Sequence, residues 1–240
     1  MILHLKPVDK GPNVRGLNAH GDAKPELLAR LGEFCSYCEC PGSPQQLHVE
    51  HIFAKAETAH PNLSKNWRNF LLACSTCNTY KSHHLGNGRQ VRLLSRFLWP
   101  HIDNTFNSFE YVSNGQVFPK PGLPAGTRAL AKATVEMIGC MRSPAATVDY
   151  EALGIAYDGI KKREEAWGIA ERARDAYREN SSSAQLATIC DTCYKTGHFS
   201  VWMAVFGAFS EVRRALILKC KAAPACFDAL TSALIKRGRS

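Results

Sequence analysis

The chain has 240 residues, 45% hydrophobic and 21% charged, with 30 Lys+Arg against 21 Asp+Glu and a formal net charge of +9. That apolar content excludes a disordered chain, and the length suffices for one or two domains with a real core. The longest apolar stretch, Val201 to Phe209, falls well short of the roughly 20 residues a membrane-spanning helix needs, so no membrane contact is expected. Met1 to Pro7 has no charged region leading into an apolar run, so no export signal is expected and a cytoplasmic location is. Ten cysteines in such a chain point to metal binding or buried thiols rather than disulfides. The positive charge favours an anionic partner.

Along the chain, residues 6–24 are rich in Pro, Gly, Asn and Lys and read as an extended N-terminal arm, taken here as 1–33. Pro25 to Leu31 is a helix candidate. From Phe34 the chain forms a knuckle, Cys35-Ser36-Tyr37-Cys38, followed by a Pro41-Gly42-Ser43-Pro44 turn. Leu47 to Phe53 alternates apolar and polar residues, the period of a half-buried strand. A polar excursion follows over 58–66, and then an apolar run from Leu71 into a short helix ending near Lys81. Phe106–Val112 and Gln116–Phe118 flank Ser113-Asn114-Gly115, a short hairpin signal, and the Pro/Gly-rich stretch 119–126 reads as a linker. Beyond it the pattern is helical, with helices expected over 127–141, 143–178, 183–195, 199–221 and 224–237. The expected division is an arm (1–33), a core (34–100), a hairpin and linker (101–126) and a helical C-terminal domain (127–240).

Two pairs of cysteines at CxxC spacing, Cys35/Cys38 and Cys74/Cys77, suit four thiolates around one structural Zn²⁺. A closed four-sulfur site has no open position for chemistry, so this zinc is scaffolding. The segment it clamps holds Glu50 beside His51 on the predicted strand, then Asn69, with Asn78 directly after the last cysteine pair. An imidazole next to an acid, with a polar side chain on a packed helix, meets the needs of hydrolytic phosphoryl transfer: a base and oxygen or nitrogen ligands for a divalent cation. Lys81, Arg89, Arg92 and Arg96 form a basic series downstream that suits contacts to phosphate, though a solvated helix face has the same composition.

Taken together, Cys35-x-x-Cys38-Glu39, Val49-Glu50-His51-Ile52 with Lys55, Trp67-Arg68-Asn69, and Cys74-x-x-Cys77-Asn78-x-x-Lys81 resemble an HNH endonuclease of the ββα-metal (His-Me finger) type. More narrowly they resemble the HNH nuclease subunit of Septu and retron-associated anti-phage defence systems, which acts beside an ATPase. Ala54 and Phe70 stand where that group has proline and leucine. The resemblance implies an α+β fold in which a zinc-stabilised ββα-metal nuclease core precedes a mainly helical C-terminal region. It implies His51 as general base, Glu50 and Asn78 as ligands of a catalytic Mg²⁺ or Mn²⁺, and Asn69 as a brace that orients His51. Lys55 joins Lys81, Arg89, Arg92 and Arg96 as expected nucleic-acid contacts. DNA is the expected substrate, an ATPase subunit the expected partner, and the bacterial cytoplasm the expected setting.

Competing with this are a non-catalytic zinc-knuckle module that binds nucleic acid and a stand-alone HNH nuclease. The remaining cysteines include Cys190-x-x-Cys193, with His198, Cys220 and Cys226 nearby in sequence. A second metal is conceivable there, but i, i+3 spacing within a helical pattern favours buried small hydrophobes.

Overall fold

The computed structural model describes residues 6–53, 63–85, 93–137, 159–233 and 235. Helix α1 (Lys24–Leu31) starts with a proline in its first turn and carries a Glu26–Arg30 ion pair at 2.6 Å, one turn apart. It buries Leu27 and Leu31. The knuckle of 35–38 follows, and then strand β1 (Leu47–His51) pairs antiparallel with β2 (Phe70–Cys74). In this register Leu47 lies opposite Cys74 and His51 opposite Phe70. Strand β2 is apolar and buried as far as Ala73, so it reads as a continuous hydrophobic run rather than an alternating one. Helix α2 (Ser75–Leu85) leaves β2 without an intervening loop. Two strands and a helix thus share the site's framework.

After α3 (Leu93–Arg96), strands β3 (Phe109–Tyr111) and β4 (Val117–Pro119) form the hairpin expected around Ser113-Asn114-Gly115. Helices α4 (Ala125–Met137), α5 (Gly159–Glu179), α6 (Ser183–Thr196), α7 (Phe199–Val205) and α8 (Ser210–Lys219) make the C-terminal region mainly helical. The Ser182 hydroxyl caps α6 by accepting from the Gln185 amide. The mixed helix-and-strand class and the helical C-terminal half agree with the sequence reading. No described helix is long and apolar enough to cross a membrane.

Three local expectations differ. The helix expected over 199–221 is two helices, because the chain turns at 206–209, where Gly207 weakens the helix and Phe206 and Phe209 pack against each other. Within the described part of the helix expected over 224–237, the one helical element is a 3-10 turn, Pro224–Cys226, and residues 227–233 are not helical. There the Asp228 carboxylate accepts from the amides of Leu230 and Thr231, offering the backbone an alternative to helix. The N-terminal arm is no free extension. Val8 donates to the Pro100 carbonyl, Ala223 donates to that of Pro7, and Lys6, Val8 and Lys10 are buried.

The buried apolar residues form one cluster reaching from Val8 to Phe227. The knuckle is fastened to the C-terminal helices within it. Glu39, buried at a left-handed φ of 54°, accepts from the backbone amide and hydroxyl of Ser200 at 2.8 and 2.7 Å. Gly197, at φ 75°, lets the end of α6 pass so close that a Cβ there would lie 2.5 Å from the Glu39 carbonyl oxygen. Burial pushes the Glu39 carboxyl up to about 7 against the opposing pull of Ser200 and Lys6. The same burial pulls Lys6 down to about 8, and its ammonium donates to the carbonyls of Leu31 and Cys220.

Candidate active site and thiolate cage

Cys35 and Cys38 on the knuckle meet Cys74 at the end of β2 and Cys77 in the first turn of α2. Their four sulfurs all lie within 4.8 Å of one another, with Cys38 and Cys74 at 3.9 Å. Sulfurs bound tetrahedrally at about 2.3 Å from one ion sit roughly 3.8 Å apart, so the spacing fits a single thiolate-bound metal. Hydrogen bonds among the crowded thiols, from Cys35 first, hold Cys38 well above and Cys74 well below the ordinary thiol range, while burial holds Cys77 up. A metal ion would relieve that crowding by replacing the shared protons. Among the described residues this is the one group of three or more His, Cys, Asp or Glu side chains with such geometry.

The second cysteine set is arranged differently. Cys190, Cys193, Cys220 and Cys226 are buried within the helical core, with Cys193 and Cys220 sulfurs 3.6 Å apart. Cys40 faces the His198 Nε2 at 3.8 Å across the knuckle–helix contact.

His51, at the end of β1, is half-buried, and its Nε2 lies 3.1 Å from the Ser64 carbonyl oxygen. A carbonyl accepts only, so that nitrogen carries the proton, and in the neutral ring the basic lone pair belongs to Nδ1. The Phe70 ring packs edge-on against the imidazole at 5.0 Å and the His20 ring lies at 5.2 Å. Asn69 stands in the 3-10 turn Trp67–Asn69 just before β2 and is buried. Its Oδ1 accepts from the Phe53 amide at 2.8 Å, and its Nδ2 donates to the carbonyls of Phe53 and Leu63 at 3.2 and 3.1 Å. The Asn69 carbonyl also accepts from the Ile52 amide. One side chain therefore ties the backbone at Phe53 to that at Leu63. Asn78 is half-buried in the first turn of α2.

Glu50 and Lys81 are put to uses the sequence did not suggest. Glu50 is 1% exposed; the Tyr37 hydroxyl donates to its Oε2 at 2.6 Å and the Lys81 ammonium to its Oε1. Burial and the neighbouring carboxylate push Tyr37 well above the usual phenol range, so it stays a donor. Lys81, 4% exposed, also donates to the backbone carbonyls of His51 and Ile52 at 2.6 and 2.9 Å. An ammonium has three protons, and all three are committed inward. The expected contact of Lys81 with phosphate is therefore corrected: the side chain is a buried strut between α2 and the end of β1. In this arrangement the Glu50 carboxylate is already neutralised, and a divalent ion could reach it only by displacing Lys81. The carboxylate as it stands does not fit an open metal ligand.

Arg96 is exposed at the end of α3. Lys55, Arg89 and Arg92, the other expected phosphate contacts, lie outside the described residues. Sequence reasoning missed Tyr37, Lys10, His20 and Ser64. Tyr37 had a signal, its place inside the CxxC knuckle; the others are brought in by the folding back of the arm and by a loop carbonyl.

Comparison with known proteins bears on this geometry. Residues 35–84 match the HNH endonuclease family. The HNH segment includes the four thiols, both strands and α2. The chain is 40% identical over 60 residues to "Septu protein PtuB" of Bacillus thuringiensis, covering 24% of this chain and 23% of that one. It is 28% identical over 109 residues to a retron Vc95 protein of Vibrio cholerae serotype O1 biovar El Tor, named as a candidate HNH endonuclease, covering 45% and 52% respectively. The chain thus spans about a quarter and about half of the curated relatives it matches. Residues 35–84 are similar to HNH endonucleases, and the relatives carry Septu and retron names.

Proposed function

We propose that the chain hydrolyses phosphodiester bonds in DNA, with His51 as the general base. The observation that carries this reading is the His51 ring itself, held at the strand end by the Ser64 carbonyl, within a segment that matches the HNH family. With Nε2 bonded to the carbonyl, Nδ1 carries the lone pair that would take a proton from the attacking water, and the Ser64 contact would steady the imidazolium that forms. Asn69 keeps the ring's two anchoring segments together. A bound Mg²⁺ or Mn²⁺ would supply stabilisation of charge on the phosphate oxygens, with Asn78 as its side-chain donor on α2. The thiolate cage would hold Zn²⁺, the soft-ligand ion that such tetrahedral sulfur sites favour.

We further place the chain in the cytoplasm of a bacterium as the effector nuclease of an anti-phage system with an ATPase partner. The Septu and retron names of its relatives support the defence role; the ATPase follows from the resemblance of its motifs to that group. Purified protein is expected to nick plasmid DNA only with Mg²⁺ or Mn²⁺, and His51→Ala to lower the rate by about 10²–10⁴-fold. Wild-type protein that binds DNA and never cuts it would instead favour a zinc-knuckle binding module. In cells, phage plating should be reduced only when the chain, with His51 intact, is co-expressed with its ATPase partner; protection by the chain alone would mark a stand-alone nuclease.

A further inference from the structure

The turn that carries Asn69 also walls a cleft of about 410 Å³, whose lining includes Asp9, Lys10, Asn13, Trp67, Arg68 and His101. Two of its buried donors are under-used. The Lys10 ammonium, on a residue 7% exposed, gives one proton to the Trp67 carbonyl at 2.6 Å and lies over the Trp67 ring, 5.4 Å from its centroid; among the described residues no other hydrogen-bond acceptor meets it. Trp67 is 2% exposed, and its indole Nε1 has no acceptor. A buried polar group without a partner is costly, and a buried cation more so. Burial pulls Lys10 down to about 7, with only the Glu50 charge opposing.

The cleft is built rather than incidental. Arg30 lies over the Trp67 ring, with its guanidinium carbon 5.0 Å from the centroid, and donates to the carbonyls of Lys10 and Pro12. Gly11 takes a φ of 59° beneath it, where a Cβ would lie 2.8 Å from the Arg30 Nη1. The arm is thereby pinned in the shape that presents Lys10. Arg68, on the same turn as Trp67, is exposed. Two cations face one acid, Asp9, whose Oδ1 accepts from the Gly11 amide at 2.8 Å.

We propose that this cleft is a phosphate-binding subsite that seats one phosphodiester of the substrate strand, held by Lys10 and Arg68. The inference rests on the nuclease reading and deepens it. A phosphate supplies further acceptors for the Lys10 ammonium, and the exposed guanidinium of Arg68 offers it a forked contact. Trp67 and Arg68 directly precede Asn69, whose side chain binds the Phe53 backbone two residues after His51, so a strand gripped here is registered against the segment that carries the base. Contacts of this kind position nucleic acid without reading its sequence.

The test uses the full chain with His51→Ala, which binds without cutting, and an end-labelled DNA duplex titrated in Mg²⁺ at a series of salt concentrations. Each phosphate contact contributes about −0.9 to the slope of log affinity against log salt. Arg68→Ala and Lys10→Met are each expected to flatten that slope by about 0.9, and the double variant by no more, because both hold the same phosphate. Unchanged slopes in variants that melt at the wild-type temperature would overturn the subsite. Should Lys10→Met not fold, the exposed Arg68→Ala decides alone. Orthophosphate and a nucleoside monophosphate are added as competitors. Displacement of the duplex by either at concentrations as low as the duplex's own dissociation constant would overturn the strand assignment in favour of a small phosphorylated ligand. Plasmid cleavage by wild-type protein separates the two claims: cleavage with unchanged slopes removes only the subsite, whereas neither binding nor cleavage removes both.

Discussion

A lysine whose ammonium lies in the core must find acceptors there, and Lys81 finds three: the Glu50 carboxylate and the carbonyls of His51 and Ile52. Removing one member of such a buried pair leaves the other uncompensated, which costs about 3–5 kcal/mol. Lys81→Met and Glu50→Gln are each expected to lose stability of that order in urea titrations, and the double variant less than the sum of the two. A Lys81→Met protein with wild-type stability and weakened DNA affinity would return Lys81 to the phosphate-binding set. Lys10 carries the opposite signature. Its pKa falls from the usual 10.5 to about 7 in the folded chain, so between those values the unfolded chain binds more protons than the folded one. Stability should therefore rise with pH from about 7 towards 10.5, and Lys10→Met should flatten that rise. At this scale the sequence singled out His51, Asn69 and the four cysteines by type and spacing, and the fold brings the four thiols together. The sequence misplaced Lys81, because a surface lysine and a buried one look alike until the acceptors around them are known.

At the scale of elements, β1, β2 and α2 form a unit with little to bury on its own, and the thiolate cage fastens its two ends. Strand β2 is apolar enough to be recognised from its run of Phe70 to Ala73, and α2 follows where polar residues resume. Cys35 and Cys74 belong to different elements, so replacing both removes the clamp between the knuckle and β2. Cys35→Ser/Cys74→Ser protein is expected to lose its metal and the cooperative melting of the nuclease core, whereas wild-type protein should hold one zinc per chain by elemental analysis. Retained fold and cleavage in the double variant would remove the cage from the account. The C-terminal helices show how element boundaries escape a sequence reading. Hydrophobic periodicity continues through 199–219, yet the chain turns at 206–209 because aromatic packing around Phe206 and Phe209 outweighs helical continuity. Past Cys226, the carboxylate of Asp228 captures amides that a helix would have used.

For the whole molecule, the contact of Glu39 with Ser200 joins the cysteine knuckle to α7 across 161 positions of sequence. Stripping the metal should therefore loosen more than the nuclease core: hydrogen exchange is expected to quicken at amides of α6 and α7 as well as at those of β2 and α2. Unchanged protection in α7 after chelation would show the two halves to be independent. The arm is part of the same assembly, since Lys6 reaches the Cys220 carbonyl and Arg163 of α5 holds the Gly115 carbonyl of the hairpin turn. By itself the sequence determined what local pattern can encode: the CxxC pairs, the α+β class, the hairpin and most of the helices. Only the tertiary structure decided which residues face inward. Burial and hydrogen-bond partners come from segments far apart in the chain, so a charged side chain declares itself strut, base or phosphate contact only when those segments meet.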